Sequence, residues 1–237
     1  MCLRDDGGDL EVFMIHRVAS MAFAPSTFVF PGGGVDERDG DGDLPWAGPP
    51  PAAWAALLDT DELSARTLVA AAVREVFEET GVLLAGPTPD TVAVASSEWA
   101  AARAALVARE LSLAELLRRD GLRLRSDLLS YRAHWVTPTF EPRRFDTRFF
   151  AARMPAGQVA DDATSEAQYA GWERPADLLA SSAAGALRVL PPTIVCLEGL
   201  AAASSVEAYL GERPLVRAVQ PELVEEDGRL VLRMDLP

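Results

Sequence analysis

The chain has 237 residues and a formal net charge of −14 at pH 7, and 49% of its residues are hydrophobic, which is typical of a soluble globular protein. The negative charge argues against binding to nucleic acid or to anionic membranes, although a bound cation would still allow a phosphorylated small molecule. Two cysteines form no disulfide framework, no apolar run is long enough to span a membrane, and the N-terminus lacks the apolar region of a signal peptide. The sequence therefore predicts a cytoplasmic protein.

In chain order, the hydrophobic pattern predicts strands and helices that alternate irregularly. Predicted strands cover residues 10–17, 28–30, 91–95, 129–137, 144–152 and 168–172. Predicted helices cover residues 65–81, 98–110, 112–119, 175–180 and 193–210, and a short helical turn covers 54–58. Gly and Pro make 40–53 an irregular loop, and the tail 214–236 is predicted to be a hairpin. This order favours a mixed sheet with helices on its faces.

The longest predicted helix carries an unusual concentration of charge near its end. Glu75 and Glu79 are neighbours one helical turn apart, and Glu78 lies beside both, so their like charges destabilise a bare helix. A bound divalent cation would make the same cluster of carboxylates favourable, because Mg²⁺ prefers carboxylate oxygens together with substrate phosphates. Arg74 is placed to orient Glu78, and Gly81 can adopt the left-handed conformation that ends a helix. A solvated acidic face is the simpler alternative.

A glycine-rich turn upstream favours the metal interpretation. The segment 30–39 reads Phe-Pro-Gly-Gly-Gly-Val-Asp-Glu-Arg-Asp, a strand end followed by glycines that let the backbone approach a ligand closely. Together with the helix, it resembles the Nudix box, Gly-x5-Glu-x7-Arg-Glu-φ-x-Glu-Glu-x-Gly-φ, in which φ is aliphatic. Gly33 matches the first position, and the second half is matched without exception by Arg74, Glu75, Val76, Glu78, Glu79, Gly81 and Val82.

The chain departs from the Nudix box in two ways. Asp39 stands where the pattern has its first glutamate, and it is one methylene shorter, so we expect its role to be structural. Residues 40–73 separate Asp39 from Arg74, which is 34 residues where the pattern has seven, an insertion of 27. The segment 40–64 holds Trp46 and Trp54 among prolines, and we expect a partly ordered lid or interface segment. The alternative is a surface excursion that packs on its own domain.

The resemblance covers about residues 3–210 and implies the fold class. It implies an α/β/α sandwich with a mixed sheet and the box helix packed against it. We expect a single Nudix hydrolase domain over 1–237, with the insertion at 40–64 and a C-terminal helix and hairpin extension at 186–237. It also implies a start that is shortened by a few strand residues before Leu3.

The resemblance assigns roles to the matched residues. It implies that Glu75, Glu78 and Glu79 hold Mg²⁺ or Mn²⁺ with the help of a carbonyl of the Gly32–Gly33 turn. Glu78 would also stand nearest the attacking water, and Arg74 would hold the carboxylates in place. Such a site is suited to a pyrophosphate bond, where a cation neutralises phosphoryl oxygens and a base activates water.

Three further residues are candidates outside the box. Glu166 lies on a predicted loop, where many Nudix enzymes place a second base or ligand; a solvated loop carboxylate is the alternative. Arg144 belongs to a predicted strand whose polar face could line a phosphate site, or could be an Arg–Asp–Arg ladder exposed to water. Arg17, at the end of the first predicted strand, and Gly33 complete the expected substrate contacts. His16 and His134 lack metal spacing, and we expect both to be structural.

The combined pattern resembles the split-box subgroup related to peroxisomal coenzyme A diphosphatase. The resemblance implies a metal-dependent enzyme that cuts a nucleoside diphosphate linked to another group, with CoA or acyl-CoA as the expected small-molecule substrate. The same chemistry on a nucleotide sugar or on a dinucleotide such as NADH or ADP-ribose is the alternative. A non-catalytic Nudix-like ligand-binding protein is disfavoured, because the box carboxylates are retained. No nucleic-acid or membrane partner is expected, and a homodimer is left open.

Overall fold

The computed structural model describes residues 1–18, 25–163, 167–226 and 228–236. Within them, the main sheet has seven strands in the order β10-β7-β8-β1-β2-β3, and β9 also pairs with β2. The strands of this sheet are β1 (Cys2–Asp6), β2 (Asp9–Arg17), β3 (Phe28–Val29), β7 (Ser130–Val136), β8 (Asp146–Arg153), β9 (Ala167–Glu173) and β10 (Ala218–Val219). Because β1 pairs in parallel with β8 and antiparallel with β2, the predicted mixed sheet is confirmed.

Helices cover both faces of this sheet. They are α1 (Pro51–Leu58), α2 (Glu62–Thr80), α3 (Trp99–Val107), α4 (Leu113–Arg119), α5 (Pro175–Ala183), α6 (Pro191–Ala202) and α7 (Val206–Gly211). Alternate residues of β2 enter different cores: Phe13 and Ile15 join α1 and α2, whereas Val12 and Met14 join α5, α6 and α7. The predicted α/β/α sandwich is therefore confirmed. No helix within the described ranges combines the length and the apolarity that a membrane span requires.

Helix α2 begins earlier than predicted and ends where predicted. Asp61 caps its N-terminus, since the carboxylate accepts a hydrogen bond from the Ser64 N–H at 2.9 Å, a typical capping contact. Gly81 ends it with φ of 75°, the left-handed conformation that glycine adopts without strain. The apolar face buries Val69, Val73 and Phe77 toward the sheet, which leaves the opposite edge for the charged side chains.

The insertion is ordered and packs on its own domain. A second, three-stranded sheet joins β4 (Trp46–Ala47), β6 (Arg123–Arg125) and β5 (Ala85–Gly86) in that order. Helix α1 follows and buries Trp54 and Leu58 in the core that contains α2. The Trp54 ring meets the Phe150 ring edge-on, with centroids 5.8 Å apart. The expected order is confirmed, but these two side chains fill the core instead of forming a lid, because α1 places them against α2 and the sheet.

Several predicted elements were wrong in detail. Residues 91–95 form no strand; their backbone is fixed by single bonds such as Ala93 N–H to Ala85 O at 2.8 Å. The predicted helix 193–210 is two helices, because the chain turns extended at Ala203 and Ser205 caps a new helix. Strand β1 was not predicted. The C-terminal hairpin is confirmed as β11 (Glu222–Glu226) paired with β12 (Arg229–Arg233).

Candidate active site

The three glutamates of the box lie on the last two turns of α2 and face the glycine turn. The side chains of Glu75 and Glu78 are 14% and 16% exposed. Glu79 accepts a hydrogen bond from the Gly32 N–H at 2.6 Å. A Cβ atom built on Gly33 would lie 2.5 Å from a carboxylate oxygen of Glu75. A side chain at this position would require the Glu75 carboxylate to move, so the turn and the helix form one site.

Arg74 holds the carboxylates of this site together. Its Nη1 donates to Glu75 at 2.7 Å and to Glu78 at 3.3 Å. Its Nη2 donates to the carbonyl oxygen of Gly34 at 2.8 Å, which ties the glycine turn to α2. The expected contact between Arg74 and Glu78 is therefore present. The guanidinium fork is suited to this task because its donors have a fixed planar geometry.

Asp39 completes the arrangement from the other side of the insertion. It is 3% exposed and receives two bonds from Arg74, at 2.9 and 3.0 Å. It also accepts the Asp36 N–H at 2.8 Å, which closes a capping box on a 3-10 helix at Glu37–Gly40. Asp39 thus meets Arg74 across the 34 intervening residues, and its contacts are those of a positioning residue.

The site carries excess negative charge. Three carboxylates, of Asp39, Glu75 and Glu78, contact the Arg74 guanidinium, and a fourth, of Glu79, contacts the Gly32 N–H. Burial, together with the charges of Glu78 and Asp39, raises the pKa of Glu75 even though Arg74 opposes the shift. Burial opposes the charge of Arg74, but hydrogen bonds and charges from Asp39 and Glu75 outweigh it and raise the pKa of Arg74. Such an imbalance is relieved by a bound cation.

The donor set suits a hard divalent cation, although the carboxylates are turned toward Arg74 and Gly32. Among the described residues, no three acidic, histidine or cysteine side chains converge in a ready metal-binding group. The reason is that Arg74 draws in Glu75 and Glu78, while the Gly32 N–H holds Glu79. The donors are nevertheless oxygen atoms on one helix edge, and the Glu75 carboxylate lies directly against Gly33 of the glycine turn. This chemistry fits Mg²⁺ or Mn²⁺.

Of the two other predicted residues Arg17 and Glu166, the structure describes only Arg17. Arg17 ends β2, and strand alternation puts it on the same sheet face as Ile15, the face that α2 covers. Its backbone N–H donates to the carbonyl oxygen of Thr27 at 3.1 Å, two residues before Val29, where β3 ends ahead of the glycine turn. Glu166 lies outside the described residues.

The expected strand position of Arg144 was wrong. Strand β8 begins at Asp146, and Arg144 is an exposed residue of the β7–β8 connection. Its Nε donates to the carbonyl oxygen of Thr137 at 3.1 Å. The connection contains Pro138 and Pro142, which lack the N–H groups that a strand pairing needs. Arg144 therefore stabilises a turn in this structure.

Two features of the site were not found from the sequence. Arg103 on α3 donates its Nε to the backbone oxygen of Glu78 at 2.7 Å and pairs with Asp161. This contact fixes the C-terminal end of α2, where a cation is favourable. The second feature is that His134 on β7 joins Asp146 and Arg148, two residues of the predicted Arg–Asp–Arg strand face. No motif marks the contacts of Arg103 or His134, because both depend on which strands and helices become neighbours.

An α/β/α sandwich whose central helix presents three glutamates and an arginine to a glycine turn defines a protein of the Nudix class. The model of the NUDT19 Nudix domain matches residues 58–200, more than half of the chain. The chain therefore belongs to the Nudix hydrolase family. Members of this family hydrolyse nucleoside diphosphate derivatives, and they generally use divalent metal ions.

Individual relatives agree with this assignment. The chain is 30% identical over 184 residues to "Putative nudix hydrolase 7" of Caenorhabditis elegans, a match that covers 78% of this chain and 53% of that protein. The chain thus spans about half the length of this curated relative. It is also similar to the crystal structure of a Nudix hydrolase from Alicyclobacillus acidocaldarius. That match has a TM-score of 0.68 and 27% identity, and it covers 89% of this chain and 92% of the other.

Proposed function

We propose that this chain hydrolyses the pyrophosphate bond of a nucleoside diphosphate linked to a second group, with CoA or acyl-CoA as the substrate. One observation carries the proposal: Arg74 gathers Asp39, Glu75 and Glu78 beside a glycine turn that also contacts Glu79. A structural salt-bridge network would not need this excess of carboxylates over cations. The choice of CoA is supported by the match to the NUDT19 domain, a CoA-related member of the family.

In this proposal, Glu75, Glu78 and Glu79 hold the metal, with the Gly32 carbonyl as a further oxygen ligand. A bound Mg²⁺ or Mn²⁺ supplies neutralising charge to the phosphoryl oxygens. Glu78 accepts the proton of the attacking water as general base. Arg74 keeps Glu75 and Glu78 on the side of the glycine turn, and Asp39 keeps Arg74 in place. Arg17 contacts the substrate from the sheet, and Glu166 serves as a second base or ligand.

A panel of substrates tests this assignment most economically. The panel contains CoA, an acyl-CoA, NADH, ADP-ribose and a nucleotide sugar, each with Mg²⁺ or Mn²⁺, and products are scored by mass. We expect CoA to yield adenosine 3′,5′-bisphosphate and phosphopantetheine. If a nucleotide sugar or NADH is cleaved and CoA is not, that compound replaces CoA as the proposed substrate. No cleavage of any member would refute the proposed function.

A further inference from the structure

A polar row, formed by the side chains of His134, Asp146 and Arg148, lies on the face of the sheet that α1 and α2 cover. In the pairing of β7 with β8, Tyr131 lies opposite Phe150 and His134 lies opposite Arg148. Phe150 and Arg148 are two residues apart on one strand, so their side chains share a face. Phe150 belongs to the core that contains α2. Arg148 therefore points to the side of the sheet on which the box helix lies.

Asp146 holds the Arg148 guanidinium in a fixed position. One oxygen of Asp146 accepts Arg148 Nη1 at 2.6 Å and also contacts His134 Nε2 at 2.5 Å. Burial opposes ionisation of Asp146, but hydrogen bonds from Arg148 and His134 lower the pKa of this carboxyl. The side chains of Arg148 and His134 are 12% and 15% exposed, whereas Asp146 is 55% exposed. Asp146 is thus a positioning residue at the open rim, and Arg148 lies further in.

Among the described residues, buried N–H groups without an acceptor include one on Arg148 and one on Trp54. Within the described part of the chain, the buried Nε of Arg148 and the buried Nε1 of Trp54 make no hydrogen bond. Trp54 is 4% exposed and packs on Phe150, the residue next to Arg148 on the same face. A buried donor without an acceptor costs free energy, and here both orphan groups are donors. Both donors need a hydrogen-bond acceptor, and the oxygens of a phosphate supply acceptors.

Strand β8 also contacts the segment that leads into the glycine turn. The ring of Phe149, which follows Arg148 and lies on the opposite face of the sheet, meets the ring of Phe30 with centroids 6.3 Å apart. Phe30 precedes the turn of Gly32 and Gly33 by two residues. A β-bulge between Tyr131 and Ala133 shifts the register here, and bulges often re-aim side chains near active sites.

We propose that Arg148, fixed by Asp146, binds a phosphate group of the substrate and is the anion-binding residue of β8. The proposal rests on the proposed function, since it places this phosphate contact in the same substrate groove as the box glutamates. The phosphate-binding role predicted for Arg144 thereby passes to Arg148, because Arg144 donates its Nε to the carbonyl oxygen of Thr137 in the β7–β8 connection. Asp146 acts through Arg148 and does not touch the substrate.

Metal-free binding of ADP tests the proposal separately from catalysis. Isothermal titration calorimetry in EDTA compares the full-length wild type with R148Q, R148K and R144Q. The matched control is R153Q, on the same strand, where Arg153 pairs with Asp5 at the surface. We expect R148Q to weaken ADP binding about tenfold, R148K to recover part of it, and R153Q to change it less than twofold. Raising NaCl from 50 to 300 mM should weaken binding by the wild type more than by R148Q.

Retention of wild-type ADP affinity and salt dependence by R148Q would overturn the proposal. So would a loss in R144Q that equals or exceeds the loss in R148Q. Thermal unfolding of each variant identifies a misfolded protein, and R148K, which keeps the charge, then decides the outcome in place of R148Q. Failure of the wild type to cleave any panel substrate would refute the proposed function alone, because ADP binding is read without turnover.

Discussion

Substitution of Asp39 by alanine should destabilise the protein by about 3 kcal/mol. Removing one partner of a buried ion pair costs roughly 3–5 kcal/mol because the other charge is left uncompensated. Arg74 is 7% exposed but retains contacts with Gly34, Glu75 and Glu78, so the low end of that range applies. At about 2–4 °C per kcal/mol for a chain of this size, the melting temperature should fall by roughly 6–12 °C.

Urea unfolding in EDTA, followed by circular dichroism, measures this loss without a contribution from metal. The matched control is D9A, which breaks the exposed Asp9–Arg174 pair and should cost no more than about 1 kcal/mol. Turnover by D39A should fall less than turnover by E79A, since Asp39 positions Arg74 and Glu79 is assigned to the metal. A free energy of unfolding within about 1 kcal/mol of wild type would refute the buried-pair reasoning. A larger loss of turnover in D39A than in E79A would refute the alignment of the two box halves.

Two further predictions concern stability. W54A should lower the free energy of unfolding in urea by about 3–5 kcal/mol, because it opens a cavity beside Phe150. The control L57A, on the same helix but with a side chain that is 55% exposed, should lower it by less than about 1 kcal/mol. Equal losses in the two variants would place the insertion outside the core. Hydrogen bonds from the Arg38 side chain lower the pKa of Asp36, so its carboxylate stabilises the fold above its unfolded pKa of about 3.9, and this stabilisation is lost as the pH falls. The difference in unfolding free energy between wild type and D36N should therefore be constant from pH 6 to 8 and shrink below about pH 4, and a difference that grows in acid would contradict it.

The elements that the sequence predicted well are those with strong local signals. Helix α2 has an apolar stripe and a terminal Gly81, which act within a few residues, although its capped start at Asp61 was missed. The helix predicted over 112–119 is likewise present as α4, and a capping box of Ser112 and Glu115 begins it. Strand β1 was missed because its apolar residues are followed at once by the charged residues Arg4, Asp5 and Asp6. The strand is stabilised by pairing with β8, which is distant in sequence.

The site divides in the same way. Glu75, Glu78 and Arg74 were predicted because one helical turn brings them together. The hydrogen bonds that Arg74 donates to Asp39 could not be predicted from the sequence pattern, since they join residues on the two sides of the insertion. The meeting of His134 with Arg148 depends on strand register and a bulge, which no local signal fixes. Sequence reasoning therefore located the carboxylates, and the structure added what holds them in place.

Turnover of the substrate selected from the panel, by wild type and E78Q, tests the central claim most directly. Glu78→Gln keeps the shape of the side chain and removes its charge, so the fold should persist while kcat falls at least about 100-fold. EDTA should abolish wild-type turnover, and added Mg²⁺ or Mn²⁺ should restore it. Activity of E78Q within a few-fold of wild type, in protein with an unchanged melting temperature, would contradict the assignment of Glu78 and the mechanism built on it.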